Sequence, residues 1–298
     1  MIKRTLYFGN QAYLSLKDNQ LVIKKRDDEI VTAAIEDIAY IVLDSPQITV
    51  TNALLGALLE NNCAIINCDK THLPSGLLLP LSGNTLQSER FQAQIEASLP
   101  LKKQLWQQTV QQKILNQAAI LKATRSAEIG NMTAWANSVR SGDVDNREAV
   151  AAAYYWKEMF PDISDFVRAR NGVPPNNMLN YGYAILRGVV ARALVSSGLL
   201  PTFGIHHHNR YNAYCLADDV MEPYRPIVDK LVIDILTEIK EYPKDLSTDI
   251  KAKILQIPVL DCFINGERSP LMNAVATTTA SLAKCYMGVT KKLIYPEV

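Results

Sequence analysis

The chain has no long apolar segment, no secretion signal and no cysteine motif. It contains no run of about eighteen uncharged apolar residues, the length a helix needs to cross a bilayer. Its first ten residues carry charge but lack the apolar core and cleavage site of a signal peptide. The five cysteines are scattered and form no C-x-x-C pair, which argues against a disulfide framework and a structural zinc site. We therefore expect a cytoplasmic protein without a membrane segment.

The chain also lacks an excess of charge of either sign. Thirty-one Lys and Arg residues against 30 Asp and Glu residues give a net charge of +1, whereas nucleic-acid-binding proteins are often strongly basic. One interval differs, because no acid occurs between Glu96 and Glu128. The cations in this interval are Lys102, Lys103, Lys113, Lys122 and Arg125. A glutamine-rich helix of this composition could bind phosphates, although charge alone favours a solvated helix face.

The hydrophobic pattern predicts an α+β protein, with a small N-terminal β-rich domain followed by a larger all-α C-terminal domain. Short apolar or alternating runs separated by turn residues indicate strands in residues 1–84, which end at the linker Ser82-Gly83-Asn84. Helical spacing dominates residues 85–298. The main helices predicted there are Leu101 to Ala127, Met178 to Ser197, Asp218 to Lys240 and Pro270 to Met287, together with a helix whose first turn holds Glu148.

The first candidate site residue is Glu148, in the segment R-E-A-V-A-A-A-Y-Y-W. Its helix face also carries Ala151, Tyr155 and Met159, so the carboxylate points where the apolar residues point. A buried carboxylate is costly unless it is paired or bound to a metal. A salt bridge to an arginine such as Arg168, or a favourable position in the helix dipole, explains it equally well.

Three of the four histidines, His206, His207 and His208, follow Gly204-Ile205 directly. A neutral imidazole is a common metal ligand. Neighbouring side chains in an extended segment point apart, so at most one or two of these rings face a single site. Spacing alone does not choose among them, and a hydrogen-bonded core histidine or an exposed polar loop remains the alternative.

A second group of acids lies in L-A-D-D-V-M-E-P-Y-R-P. Asp219 and Glu222 are three residues apart and share one face of a helix, where two carboxylates repel each other unless a cation lies between them. Pro223 and Pro226 mark either the start of the helix or a bend in one that begins earlier. Taken alone, a polar first turn capped by Asp218 or Asp219 is the simpler interpretation.

Considered together, these groups indicate a metal site. One imidazole with two or three carboxylates is a mixed nitrogen and oxygen ligand set, which suits Mg²⁺ or Mn²⁺. Such a site can stabilise the attacking and leaving oxygens of an in-line phosphoryl displacement. The chain lacks G-x-x-x-x-G-K-[ST] and G-x-S-x-G, which argues against a P-loop nucleotidase and a serine hydrolase. The residues alone therefore predict a metal-dependent hydrolase or phosphotransferase.

Several blocks resemble a known family in their order and spacing. They are R-E-A-V-A-A-A-Y-Y-W, G-I-H-H-H, L-A-D-D-V-M-E-P-Y-R-P, S-L-A-K-C and, in the β-rich part, the stretch from I-T-V-T-N to H-L-P-S-G. Across essentially the whole chain they resemble the CRISPR-associated integrase/endonuclease family, the larger of the two universal spacer-acquisition proteins, in its type II form. The resemblance implies that Glu148, His206 and Glu222 are the catalytic metal ligands, with Asp219 as a supporting acid. His207 and His208 are additional neighbours that could also bind.

The same resemblance implies an activity and partners. The N-terminal domain would mediate homodimerisation, and two dimers would flank a dimer of the small second acquisition protein. The complex would hold a short double-stranded DNA fragment, whose 3′-hydroxyls attack the CRISPR repeat in a metal-dependent transesterification. Lys102, Lys103, Lys113 and Arg168 are the expected DNA contacts.

Overall fold

The computed structural model describes residues 3–164 and 166–298. The chain divides into an N-terminal unit that ends at Thr85 and a C-terminal unit from Leu86 to Val298. Strands dominate the first unit and helices the second, which confirms the predicted order of a β-rich part followed by a helical part. Among the described residues, no helix is both long enough and apolar enough to span a membrane.

The N-terminal unit is built from two four-stranded sheets and one α-helix. Its elements are β1 (Arg4–Phe8), β2 (Ala12–Lys17), β3 (Gln20–Lys25), β4 (Ile30–Ala34), β5 (Ile38–Leu43), β6 (Ile48–Val50), α1 (Asn52–Glu60), β7 (Ala64–Cys68) and β8 (Pro74–Leu78). One sheet has the order β1-β5-β7-β8, in which β1, β5 and β7 are parallel and β8 is antiparallel. The other has the order β4-β3-β2-β6 and is antiparallel except for the β2–β6 pair.

The core of this unit follows directly from the sequence pattern. The continuous apolar run of β5 is buried over nearly its whole length, as expected for a strand covered on both faces. Leu14, Leu21 and Leu54 are fully buried beside it. Thr51 accepts a hydrogen bond from the backbone N–H of Leu54 and caps α1, as its position before the helix predicts.

The C-terminal unit is mainly helical. Its helices are α2 (Gln87–Ile95), α3 (Leu99–Arg125), α4 (Gly130–Asn137), α5 (Arg147–Met159), α6 (Asn176–Ser196), α7 (Cys215–Met221), α8 (Arg225–Ile239), α9 (Thr248–Ile254) and α10 (Leu271–Tyr286). The longest, α3, packs against α4, α5, α8 and the 3₁₀ turn Glu222–Tyr224. Its buried face carries Leu105, Trp106, Val110 and Ile114, so α3 forms the support on which the site is assembled.

The prediction that the C-terminal domain is all-α is wrong at one place. Strands β9 (Asp261–Ile264) and β10 (Glu267–Pro270) form an antiparallel hairpin. They are joined by Asn265 and Gly266, which both have positive φ angles, 53° and 78°. Asn-Gly is the preferred pair for a two-residue hairpin turn because both residues tolerate this backbone conformation. The turn signal was present in the sequence, next to the alternating buried residues of β9.

The segment around Glu222 resolves the two alternatives that its prolines left open. Helix α7 begins at Cys215, ends at Met221 and passes into the 3₁₀ turn, after which α8 begins at Arg225. The predicted helix from Asp218 to Lys240 is therefore two helices with a bend between them. Proline lacks a backbone N–H, so Pro223 cannot continue the hydrogen bonding of α7.

Candidate active site

Glu148 is oriented by an unusual helix start. Asp143, which has a positive φ of 49°, lies in the loop before α5. Its carboxylate accepts hydrogen bonds from the backbone N–H groups of Arg147 at 2.8 Å and Glu148 at 3.1 Å, so it caps the first turn. From this turn, Oε1 of Glu148 lies 2.6 Å from Nζ of Lys113. The carboxylate that the sequence singled out is thus directed towards α3 and is about three-quarters buried.

Glu222 reaches the same nitrogen from the 3₁₀ turn. Its Oε2 lies 2.6 Å from Nζ of Lys113, and its Oε1 lies 3.0 Å from Nη2 of Arg225. The side chain is only 5% exposed. Burial raises the pKa of Glu222, but the charges of Arg225 and Lys113 more than offset this and hold the pKa below its ordinary value. Glu222 is therefore ionised at neutral pH.

Lys113, which the family resemblance implied as a DNA contact, is buried between the two acids. Its ammonium contacts both carboxylates, and its side chain is 11% exposed. Burial is the largest influence on the pKa of Lys113 and lowers it, yet Glu222 and Glu148 raise the pKa above its ordinary value. The sequence did contain a signal, because Lys113 is seven residues after buried Trp106 and so falls on the buried face of α3.

Asp219 organises the histidine segment. It is fully buried and accepts hydrogen bonds from the backbone N–H groups of His206 at 2.8 Å and His207 at 3.3 Å. A Cβ atom at Gly204 would lie 2.4 Å from the carbonyl oxygen of His207 and 2.8 Å from Oδ2 of Asp219. Only glycine allows this close approach, which explains the Gly-Ile-His step. Asp219 therefore fixes the backbone of the histidine segment.

The three histidines occupy different environments. The His206 ring stacks on Trp106, with centroids 4.4 Å apart and planes within 5°. Nδ1 of His207 lies 2.5 Å from Oδ1 of Asp219, and its ring is perpendicular to Trp106. Nδ1 of His208 bonds to the backbone oxygen of His206 on the exposed side. His206 and His207 thus flank one tryptophan, and all three histidines are exposed at the surface.

These environments shift the pKa values of His206 and His207 in opposite directions. Partial burial and the neighbouring His207 lower the pKa of His206. The hydrogen bond to Asp219 raises the pKa of His207 against the opposing effect of burial, and the charges of Glu222 and Glu148 raise it further. Both carboxylates of the site therefore lie within electrostatic reach of His207.

The remaining predicted DNA contacts are Lys102, Lys103 and Arg168. Lys103 is exposed and Lys102 half-buried in the first turns of α3. Arg168 donates hydrogen bonds to Oδ1 of Asn176 and Oδ1 of Asn180, and its guanidinium lies 4.9 Å from the ring centre of Tyr183. Arg168 thus contacts the first turns of α6 and the ring of Tyr183.

Arg225 and Trp106 are the site residues that sequence reasoning missed. Arg225 is three residues after Glu222, in the spacing that allows a contact within one helical turn. Trp106 gave no distinct signal, because an aromatic residue at helical spacing is typical of any core. Its stacking with His206 depends on how the histidine segment folds back onto α3.

The carboxylates and imidazole of this site are chemically suitable ligands for a divalent cation. Among the described residues, no group of three or more His, Cys, Asp or Glu side chains is close enough to hold a metal, and the Lys113 ammonium occupies the space between Glu148 and Glu222. Oε2 of Glu222 is buried, and its 2.6 Å contact with the Lys113 ammonium lies outside ideal hydrogen-bond geometry. Because Asp219 takes Nδ1 of His207, Nε2 is the ring nitrogen left for a ligand. Carboxylate oxygens and one imidazole are suitable ligands for Mg²⁺ or Mn²⁺.

Comparisons with known sequences agree on one family. The family model described as CRISPR associated protein Cas1 matches residues 6–265. The CRISPR-associated endonuclease Cas1 of Neisseria meningitidis serogroup C is 38% identical over 303 residues, covering 100% of this chain and 97% of that protein.

Comparisons of structure find the same fold at lower identity. A casposase bound to integration product superposes with a TM-score of 0.81 at 20% identity, covering 98% of this chain and 92% of that one. A chain of a Cas6-RT-Cas1–Cas2 complex gives a TM-score of 0.74 at 19% identity, covering 97% of this chain and 35% of that one. The family match and the Neisseria relative together place this chain in the Cas1 family of CRISPR-associated nuclease/integrase enzymes.

Proposed function

We propose that this protein inserts short double-stranded DNA fragments into a CRISPR array by metal-dependent attack of a fragment's 3′-hydroxyl on a repeat phosphodiester. The observation that carries the proposal is the convergence of Glu148 and Glu222 on one nitrogen, beside a histidine pair oriented by Asp219. Support also comes from the fold shared with a casposase bound to integration product.

The metal in this proposal is Mg²⁺ or Mn²⁺, held by Glu148, Glu222 and one imidazole. The family resemblance implies that His206 is the ligand. The hydrogen bonding favours His207 instead, because Asp219 bonds to Nδ1 of His207 and leaves its Nε2 for a ligand. When bound, such a metal stabilises negative charge on the phosphoryl oxygens during in-line displacement. The two histidine variants described in the Discussion separate these assignments.

The protein's own residues supply positioning. The nucleophile is the DNA 3′-hydroxyl, so no covalent protein nucleophile is required, and none is invoked. Arg225 holds Oε1 of Glu222, and the guanidinium lies 4.8 Å from the ring centre of Tyr183, which keeps this carboxylate in one orientation. Asp219 does the same for the histidine segment. Preorganised groups of this kind lower the barrier because they need not rearrange during the reaction.

The proposed partners are DNA, a second copy of this chain and the small second acquisition protein. A chain of the Cas6-RT-Cas1–Cas2 complex has the same fold, which supports a Cas2-like partner. We assign homodimerisation to the N-terminal domain. Lys102 and Lys103 in the first turns of α3, together with Arg168, are the proposed phosphate contacts.

A strand-transfer assay tests the proposal. The protein and its small partner would be mixed with Mn²⁺, a short duplex with free 3′ ends and a supercoiled plasmid that carries a repeat. Joined product is expected from the wild type and not from Glu222→Gln or Glu148→Gln. Nicking without joining would instead indicate a nuclease, and full joining by both variants would refute the assigned site.

A further inference from the structure

The two acids of the site are already matched by two cations in the structure. Lys113 contacts both Glu148 and Glu222, and Arg225 contacts the second oxygen of Glu222. Glu222 and Lys113 are almost completely removed from water, and Arg225 is partly buried beside them. A divalent cation placed between the same carboxylates would add two positive charges to a balanced buried cluster. Unmatched charge is strongly unfavourable in such surroundings, so one resident cation has to leave.

Arg225 is held in place by several contacts. Besides Glu222, its guanidinium lies over the ring of Tyr183, at 4.8 Å from the ring centre. The Tyr183 hydroxyl in turn donates a 2.5 Å hydrogen bond to buried Asp229. A planar guanidinium packed on an aromatic ring has little freedom to move.

Lys113 is held differently. Its polar contacts among the described residues are the two carboxylates alone. Oε2 of Glu222 lies 2.6 Å from the ammonium, yet this oxygen has no partner in hydrogen-bond geometry. The contact is therefore held mainly by charge. An ammonium on a flexible four-carbon stem can withdraw from such a contact with small changes in its torsion angles.

We propose that Lys113 is the resident cation of the metal site. Its ammonium lies between Glu148 and Glu222 in the metal-free protein, keeps the two carboxylates together, and withdraws when a divalent cation binds both of them. The inference rests on the proposed function, because that function assigns a metal to these carboxylates. It follows that metal affinity is set by competition with an internal side chain, and that removing the competitor strengthens metal binding.

Measuring Mn²⁺ affinity without DNA tests this directly. Lys113→Met keeps the length and apolar character of the stem but removes the charge, and Lys122→Met, an exposed lysine of the same helix, is the matched control. Isothermal titration is expected to give a Kd for Mn²⁺ at least tenfold lower in Lys113→Met, with Lys122→Met unchanged. An equal or higher Kd in Lys113→Met would overturn this inference and leave the proposed function standing. Absence of binding in every protein would overturn the metal-dependent function as well.

A second measurement needs no variant, in case Lys113→Met does not fold. Reductive methylation of the wild-type lysines is followed by peptide mass spectrometry, with and without Mg²⁺. The paired Lys113 amine is expected to react slowly in the metal-free protein and severalfold faster when Mg²⁺ displaces it, while Lys122 reacts equally in both. Unchanged or slower labelling of Lys113 with Mg²⁺ would refute the displacement.

Discussion

Oδ1 of Asp219 lies 2.5 Å from Nδ1 of His207, while Oδ2 of the same carboxylate accepts the backbone N–H of His206 at 2.8 Å. One buried acid thus fixes both the path of the histidine segment and the orientation of one ring. A hydrogen bond from a carboxylate to Nδ1 also makes Nε2 a better ligand.

Replacing Asp219 with Asn tests this relationship. The variant keeps the shape and one acceptor oxygen but removes the charge, so we expect strand transfer to fall about 10- to 100-fold, as for other groups that orient a ligand. Joined product per unit time measures the effect. Asp218→Asn is the control, because Asp218 is a neighbouring acid that pairs with Arg187 instead. Equal losses in both variants would contradict a specific function for Asp219.

The same pair predicts a pH dependence of stability. The pKa of His207 is raised above its ordinary 6.5 by the bond to Asp219. Its stabilising contribution is therefore complete below pH 6.5 and is lost as the pH rises through the raised pKa. Urea unfolding of the metal-free wild type and Asp219→Asn, compared at pH 5.5 and 8, should show a larger difference at pH 5.5.

His206→Asn and His207→Asn separate the two ligand assignments. We expect His207→Asn to abolish joining and to weaken Mn²⁺ binding. His206→Asn should lose mainly the stacking on Trp106, with a smaller effect on both measurements. The reverse order of effects would assign the ligand to His206, as the family resemblance implies. Circular dichroism of both variants checks that the fold is retained.

Gly204→Ala is expected to displace the histidine segment. The added Cβ would lie 2.4 Å from a backbone oxygen and 2.8 Å from Asp219, distances that require the chain to shift. We expect strand transfer to fall by at least tenfold, while the helical circular-dichroism signal changes little. Gly266→Ala in the exposed β9–β10 turn is a useful comparison, because its added Cβ meets nothing within 4 Å and its cost is backbone strain alone. Full activity of Gly204→Ala would refute the proposed packing.

Asp229, behind the site, gives a second pH prediction of the same sign, in a more acidic range. It accepts hydrogen bonds from the hydroxyls of Tyr155 and Tyr183, and burial raises its pKa from 3.8 to about 6 despite both bonds. The folded state therefore binds the proton more tightly than the unfolded state, and stability falls as the pH rises from 3.8 to about 6. The shift corresponds to about 3 kcal/mol.

Urea unfolding of the wild type and Asp229→Asn over this pH range measures that contribution. The free energy of unfolding should fall more steeply with pH in the wild type, because Asn cannot titrate. Parallel curves for the two proteins would show that Asp229 has the same pKa in the folded and unfolded states.

Much of the fold could be predicted because its signals are local. The buried strand β5, the Thr51 cap of α1 and the long helix α3 follow from apolar spacing and capping residues within a few positions. The hairpin of β9 and β10 was missed although its Asn-Gly turn is equally local. From sequence alone, such short strands are easily taken for part of a helical region, because helices precede and follow them in the chain.

The sequence by itself determined which residues are candidates for the site. Glu148, the histidine run and the Asp219–Glu222 pair are identifiable from residue type, spacing and family resemblance. Only the tertiary structure decided how these residues are arranged. Lys113 lies between two acids that both follow it in the chain, Glu148 by more than 30 residues and Glu222 by more than 100. His206 stacks on Trp106, while His207 bonds to Asp219. These contacts join residues far apart in the chain, and helix packing sets their distances. Neither residue spacing nor composition carries that information.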